Sequence, residues 1–295
     1  MLKVYNTLSK SVDPVTPIES GRVKMYSCGP TVYRDAHIGN LRSYLMADWI
    51  RRALEVRGIE VDHVKNITDV GHMRQEMLEQ GEDKVIASAI AEGKTPQEIA
   101  QFYTEAFHRD EAKLGILLAT YFPKATDHIQ EMIQVTRKLE ERGYTYEVQG
   151  NVYFAVSKFP DYGKLSGNIQ GALLEGVRVE VDPLKNDPRD FTLWKGAEAG
   201  RMLKWHSPWG DGFPGWHIEC SAMALRHLDG TVDIHGGGQD LVFPHHENEI
   251  AQSEAYTGVK PFARWWVHNG LLQLGETKMS KSIGNLITIR DALAT

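Results

Sequence analysis

Two short apolar strands with an amphipathic helix between them lie near the start of this chain, and that order restricts the fold more than any other feature. Val23-Lys-Met-Tyr-Ser-Cys28 reads as a strand that stops at the turn signal Gly29-Pro30. From about Leu41, the residues Leu41, Leu45, Met46, Trp49, Ile50, Ala53 and Leu54 form an apolar stripe at helical spacing, closed by Gly58. Val61-Asp-His-Val-Lys-Asn-Ile67 reads as a second strand, arriving at Thr68-Asp69. A helix joining two strands implies a parallel pair with a right-handed crossover, since a right-twisted strand feeding a right-handed helix packs back onto the sheet only that way. Cys28 and Thr68 would then stand at the carboxyl ends of neighbouring strands, where open α/β sheets bind ligands.

A second dense segment runs from Asp233 to Glu249. The apolar strand 231–235 leads into Gly236-Gly-Gly238, whose missing side chains let backbone N–H groups approach a nucleotide. Pro244 sits where the first turn of a helix tolerates a missing N–H. His245 and Glu249 are four residues apart and so share one helix face. With the thiol of Gly215-Trp-His-Ile-Glu-Cys220 close in sequence, these are zinc-type ligands beside a nucleotide loop. At the mouth of the first helix, His37-Ile-Gly-Asn40 offers a second phosphate-facing end: Gly39 permits close backbone approach, and a helix N-terminus favours anions. Taken alone this tetrapeptide is a weak signal, and the plainer reading of His37 is an ordinary loop histidine.

The rest of the chain reads as a soluble enzyme. Charged residues make up 24% and hydrophobic ones 42% of 295 residues, the balance of a globular protein with a large core. With two cysteines, Cys28 and Cys220, no disulfide framework is possible, and a reducing, cytoplasmic setting is expected. No apolar run is long enough to cross a membrane, and the N-terminus lacks a signal-peptide core. A net charge of −6 argues against broad nucleic-acid affinity while leaving room for a local basic face. Residues 71–84 are polar and expected to form a mobile loop. Helices are expected over 95–114, with Thr95-Pro96 as cap and first residue, and over 129–142. Short β-like pieces between 144 and 191 read as a module inserted between two halves of one sheet, and the Gly/Pro/Trp-rich stretch 205–215 marks the return.

Together the motifs carry a family resemblance. Tyr26-Ser-Cys-Gly-Pro-Thr-Val-Tyr33, His37-Ile-Gly-Asn40, Asn66-Ile-Thr-Asp69, Gly215-Trp-His-Ile-Glu-Cys220, the Asp233–Glu249 segment and Lys278-Met-Ser-Lys-Ser282 stand in the order found in class I cysteinyl-tRNA synthetases. Pro123-Lys-Ala-Thr-Asp-His-Ile129 and Tyr162-Gly-Lys-Leu-Ser166 resemble that family's inserted module. The resemblance implies a Rossmann-like, doubly wound parallel sheet interrupted by an inserted α+β module. Its parts would be residues 1–120 and 213–265 as the two halves of the nucleotide-binding domain, 121–212 as the insert, and 266–295 as the lysine-loop region opening a helical domain. It further implies one catalytic zinc per chain on Cys28, Cys220, His245 and Glu249, with ATP and magnesium as co-substrate. L-cysteine and the acceptor end of tRNA(Cys) would be the partners of a monomer. Thr68 and Trp216 would line the amino-acid pocket, and Gly236, Gly238 and Asp240 would receive ATP, with Asp240 at the ribose. His37, Gly39 and Asn40 would meet the phosphates. Lys278 and Lys281 would offset charge on the pyrophosphate.

The chain departs from the family in three ways, one being Gly71-His72 and extra residues before Asp83-Lys84, where shorter relatives run on directly. Asn40 stands where many class I synthetases carry histidine, which keeps a donor and loses a possible positive charge. The chain also stops shortly after Ser282, within a helix expected to start near Ile289, so it reads as a fragment or a short paralogue. Competing readings are a paralogous ligase giving cysteine to an amino-sugar amine, as in mycothiol assembly, and a zinc- and nucleotide-binding module without catalysis. At the metal, a purely structural zinc or none is the alternative.

Overall fold

The computed structural model describes residues 1–70, 92–167, 182–274, 277–278 and 286–294. The polar stretch 71–84 and Lys281 lie outside the described residues. The chain begins with an antiparallel hairpin, β1 (Lys3–Asn6) and β2 (Ser11–Pro14). Then come β3 (Arg22–Ser27), helix α1 (Ile38–Glu55) and β4 (Glu60–Lys65), and β3 pairs with β4 in parallel as the strand–helix–strand pattern requires. Helices α2 (Pro96–Lys113) and α3 (Ile129–Glu141) precede β5 (Thr145–Val148), β6 (Asn151–Phe154), β7 (Phe191–Gly196), β8 (Trp205–Ser207) and β9 (Gly210–Pro214). These five form an antiparallel sheet in the order β5-β6-β7-β9-β8. Helix α4 (Trp216–Leu228), β10 (Val232–Gly238), helix α5 (Glu247–Thr257) and β11 (Ala263–Asn269) complete the parallel sheet. A two-residue pair, β12 (Gln273–Leu274) with β13 (Thr277–Lys278), and the short helix α6 (Ile289–Ala294) follow.

The parallel sheet has the order β11-β10-β3-β4, so chain order reverses between β3 and β10. Strands to one side of that gap send their connections one way, and those on the other side the opposite way. The connections therefore diverge at the β3/β10 boundary, the place at which open α/β sheets hold ligands. One face of the sheet (Val23, Met25, Val61, Ile234) packs on Ala47, Ile50 and Leu54 of α1. The other (Tyr26, Val64, Trp266) packs on Ile218 and Ala222 of α4 and Ile250 and Ala251 of α5. That apolar cluster continues into Val152, Phe154, Leu193 and Trp194 of the antiparallel sheet, so both sheets share one core. Fully burying a side chain of this kind stabilises the fold by roughly 1.5–3 kcal/mol.

Both edges of the parallel sheet are covered by nearby chain. Beyond β4, Tyr121 and Lys124 make parallel bridges to Val64 and Ile67. At the β11 edge, Thr7 N donates to Trp266 O at 2.8 Å, and Asn6 Nδ2 donates to Arg264 O at 2.9 Å.

Helix α1 departs from the expected stripe. It starts at Ile38, and its buried face is Leu41, Tyr44, Ala47, Asp48, Ile50 and Leu54, whereas Trp49 is 65% exposed. At ~100° per residue, Trp49 points nearly opposite the Tyr44–Ala47 side. Asp48 tolerates burial because Oδ2 accepts from Arg52 Nε at 2.7 Å and Oδ1 from Leu117 N at 2.9 Å. Lys65 is equally buried at the end of β4, ion-paired to Glu111 and surrounded by the rings of Tyr44, Phe107 and Phe122. The expected cap at Thr95-Pro96 is present: Thr95 Oγ1 accepts from Glu98 N at 3.2 Å, and Glu98 Oε2 accepts from Thr95 N at 2.8 Å. Among the described residues, no helix is long and apolar enough to cross a membrane.

Candidate active site

The crevice at the sheet reversal is built by backbone first. Past β3 the chain keeps pairing with the chain past β4: Val32 N donates to Thr68 O, and Thr68 N to Pro30 O, both at 3.0 Å. This close run is possible because residue 29 is glycine; a Cβ there would lie 1.7 Å from the Asn66 carbonyl oxygen. Gly29 N also donates to Asn66 Oδ1 at 2.9 Å. On the β10 side, the ladder with β3 ends where Cys28 N meets Gly236 O at 3.3 Å. The three glycines are strand residues and continue their pairing with β11 as far as Asn269. Both Gly237 and Gly238 are crowded: a Cβ on Gly237 would come 2.9 Å from His246 Cε1 and Leu241 Cδ1, and one on Gly238 2.6 Å from Asp240 Oδ1, while one on Gly236 would find nothing nearer than 3.6 Å.

Four side chains that the sequence singles out converge in this crevice. Cys28 directly follows β3, Cys220 lies in α4, and His245 and Glu249 sit at the entrance to α5. Phe243 is extended, so the helical path begins only at Pro244 and carries His245 and Glu249 to the same side. The Cys28 and Cys220 sulfurs are 4.0 Å apart, Cys28 Sγ lies 3.8 Å from Glu249 Oε1, and His245 Nε2 lies 3.0 Å from the same oxygen. Both cysteines are free thiols. All four ligand atoms lie within 4.8 Å of one another. Two ~2.3 Å zinc–sulfur bonds at a tetrahedral angle span roughly 3.8 Å, so the donor set matches the size and chemistry of a zinc site.

Burial acts on each group, and its neighbours decide the outcome. It pushes the Cys28 thiol up, while the hydrogen bond that Cys28 donates brings Cys220 down to about 7. For Glu249, burial is outweighed by His235 and His245, which hold the carboxyl down at about 2. Burial is likewise outweighed at His245, which Glu249 and Cys220 push up to about 10. The crevice therefore stabilises a carboxylate and one thiolate, the charge pattern a divalent cation would meet.

A shell of histidines that sequence reasoning missed surrounds these four. Glu249 Oε2 accepts from His235 Nε2 at 2.9 Å, and His217 Nδ1 meets His245 Nδ1 at 3.0 Å. His246 Nε2 lies 3.3 Å from Cys28 Sγ, its Nδ1 bonds His268 Nε2 at 2.7 Å, and His268 Nδ1 meets Thr7 Oγ1 at 2.7 Å. Cys28, His235, His246 and Glu249 form an alternative group of ligand size. It contains only one thiol; the set with both thiols is the softer and better match to zinc. The pairing of His245 with His246 is a visible sequence signal, but nothing in the sequence brings His217 or His268 to this place.

The remaining predicted residues are arranged around the quartet. Trp216, 38% exposed, stacks on the His245 ring with centroids 4.3 Å apart. Thr68 Oγ1 accepts from Asn66 Nδ2 at 3.0 Å and donates to Glu219 Oε2 at 3.4 Å. Gly236 approaches Met46 of α1, Gly238 approaches Ser43 of α1, and Asp240 is exposed in the turn that follows β10. Gly39 lies in the first turn of α1. His37 caps α1 and pairs with Asn40: Asn40 N donates to His37 Nδ1, and His37 N to Asn40 Oδ1, both at 3.3 Å. The backbone of Lys278 lies in β13, and Lys281 is outside the described residues.

Comparison with known proteins agrees with this geometry. The family model for the tRNA synthetase class I (C) catalytic domain matches residues 14–295. A cysteine–tRNA ligase of Carboxydothermus hydrogenoformans is 52% identical over 292 residues, 99% of this chain and 60% of that protein. One from Clostridioides difficile is 50% identical, covering 98% of this chain and 60% of that protein. The chain thus spans about three fifths of the length of the curated relatives it matches. Among solved structures, Mycobacterium tuberculosis methionyl-tRNA synthetase in complex with methionyl-adenylate superposes with a TM-score of 0.67 at 17% identity, over 92% of this chain and 61% of that one. At that identity the likeness concerns the fold: a Rossmann-like parallel sheet interrupted by an α+β module. A thiol-rich crevice at the sheet reversal and a match along nearly the whole sequence lead to one assignment, and the chain belongs to the family of class I (C) tRNA synthetase catalytic domains.

Proposed function

We propose that this chain carries the chemistry of a cysteine–tRNA ligase: ATP and L-cysteine give cysteinyl-adenylate and pyrophosphate, and the cysteinyl group then passes to the 3′ end of tRNA(Cys). The observation that carries this reading is the convergence of Cys28, Cys220, His245 and Glu249 at the β3/β10 reversal. A zinc ion held by these four would accept the substrate sulfur as thiolate and discriminate against the hydroxyl of serine. That the relatives are cysteine–tRNA ligases supports cysteine as substrate.

The protein's own groups take the following roles. Trp216, stacked on His245 and partly open, walls the pocket, and Thr68, held by Asn66 and Glu219, faces it from the opposite strand end. The glycine strand lets the nucleotide approach backbone at Gly236 and Gly238, with Asp240 at the ribose. At the α1 mouth, His37, Gly39 and Asn40 meet the triphosphate, aided by the partial positive charge of the helix end. The substrate carboxylate attacks the α-phosphorus, and the bond to the leaving pyrophosphate breaks. Lys278 and Lys281 offset the charge gathered on that leaving group. In the second step a terminal ribose hydroxyl of tRNA attacks the adenylate carbonyl and AMP departs. We assign residues 121–212 to an insert between the halves of the nucleotide-binding domain.

Cysteine-dependent ATP–pyrophosphate exchange tests the first step without tRNA. Exchange stimulated by cysteine and not by serine is expected; exchange that ignores the added amino acid would overturn the reading.

A further inference from the structure

Asp110 in α2 has a side chain only 1% exposed, and among the described residues neither of its carboxylate oxygens has a hydrogen-bond partner. Burying such a group unpartnered is unfavourable, so whatever faces it matters. The Arg290 guanidinium faces it: Nε lies 4.0 Å from Asp110 Oδ1, while Nη2 donates to Asp35 Oδ1 at 2.7 Å. Arg290 is therefore suspended between a half-buried carboxylate just ahead of the α1 cap and a fully buried one in α2.

The residues before Arg290 are fastened to the mouth of α1. Ile38 N donates to Ile287 O at 2.9 Å, and Thr288 makes an antiparallel bridge to His37. Ile289 is buried with Ala36, Leu41, Tyr44 and Phe107. Thr288 N and Oγ1 both donate to Asp291 Oδ2, at 2.9 and 2.7 Å, which fixes the turn into α6. Ile38 N–H belongs to the first turn of α1, where helical amides lack partners of their own. The segment 287–289 thus sets the position of His37 and Ile38, and Arg290 holds that segment down.

We infer that Arg290 is a positioning residue for the α1 mouth: by bridging Asp35 and the buried Asp110 carboxylate, it clamps residues 287–289 against His37 and Ile38. Its kinetic consequence rests on the proposed role of His37 at the ATP phosphates, while its structural consequence does not. A guanidinium suits the task because its planar fork reaches two carboxylates at once, which an ammonium does less well.

The test uses wild type, Arg290→Ala, Arg290→Lys, Asp110→Asn and the Arg290→Ala/Asp110→Asn double variant in two measurements. In cysteine-dependent ATP–pyrophosphate exchange, Arg290→Ala and Asp110→Asn should each lower kcat/KM for ATP by about tenfold, the scale of one lost charge-assisted contact. Zinc content and KM for cysteine should not move. Arg290→Lys should recover part of the loss, and the double variant should be little worse than either single change. In hydrogen–deuterium exchange, peptides covering residues 36–41 should exchange faster in both single variants. Unchanged exchange at 36–41 would overturn the clamp, as would a lower Tm with unaltered ATP kinetics per zinc-loaded molecule. If wild type itself shows no cysteine-dependent activity, the functional reading fails, and the amide measurement alone decides the clamp.

Discussion

His235 Nε2 and Glu249 Oε2 lie 2.9 Å apart in a fully buried pair, which leaves Glu249 Oε1 to face Cys28 and His245. Because the carboxyl of Glu249 is held down at about 2, it accepts the bond and His235 carries the proton on Nε2. The carboxylate is thereby oriented before any cation arrives. His235→Ala should weaken zinc binding by about 10–100-fold, the usual effect of removing a group that orients a ligand. Competition against a chromophoric chelator measures it; wild-type affinity would mean that Glu249 needs no such support.

Cys220→Ala removes a buried thiolate from the quartet and should lose the metal or hold it far more weakly, since both charge and a bond disappear. Elemental analysis after dialysis is the readout. Full occupancy, with unchanged cysteine binding, would argue against this donor set.

Discrimination follows from the same donors. If substrate sulfur is what the crevice selects, serine should be activated at least ~10⁴-fold less efficiently than cysteine, the scale set by one polar contact that a competitor cannot make. Comparable kcat/KM values in the exchange assay would leave the metal a structural role only.

Metal affinity should fall as pH falls. Ligation requires bare imidazole and thiolate, whereas the crevice pushes His245 up to about 10 and Cys28 also upward. Around neutral pH zinc must therefore displace protons, and binding should strengthen as pH rises toward 10. Calorimetry in buffers of different ionisation enthalpy would report the released protons; buffer-independent heats would contradict the scheme.

The Lys65–Glu111 pair offers a test of stability rather than chemistry. With side-chain exposures of 0% and 1%, removing one partner strands a charge. Lys65→Met should cost about 3–5 kcal/mol, and adding Glu111→Leu should recover most of it. Urea denaturation of the three proteins gives the comparison, and additive losses would refute the argument.

The alternation of strand, helix and strand around α1 was legible because each period appears within a few residues, and the His245–Glu249 spacing was legible because four residues make one helical turn. Cys220 could be proposed as a ligand from its motif, though its place beside Cys28 depends on strand order. That order is a tertiary fact, since β3 and β10 are separated by more than half the chain. Trp49 was misplaced because the stripe was drawn through apolar residues alone, whereas the buried face runs through a polar residue, Asp48, which pairs with Arg52 and Leu117. The reciprocal cap of His37 and Asn40 escaped notice because its residue types differ from the usual Ser/Thr and Glu pattern. Among the three glycines, Gly236 differs from Gly237 and Gly238 only through tertiary neighbours, His246 and Leu241 against the one and Asp240 against the other.

The chain segments lying along β4 and β11 have a consequence for how these molecules behave at high concentration. An open strand edge is a template on which a second copy can add its own strand, and growth from such edges leads to fibrous aggregates. Tyr121 and Lys124 occupy that template on one side, and Asn6 and Thr7 on the other. The N-terminal hairpin thus covers an edge on which a second copy could add a strand: trimming the first sixteen residues should bare the β11 edge and raise light scattering with concentration.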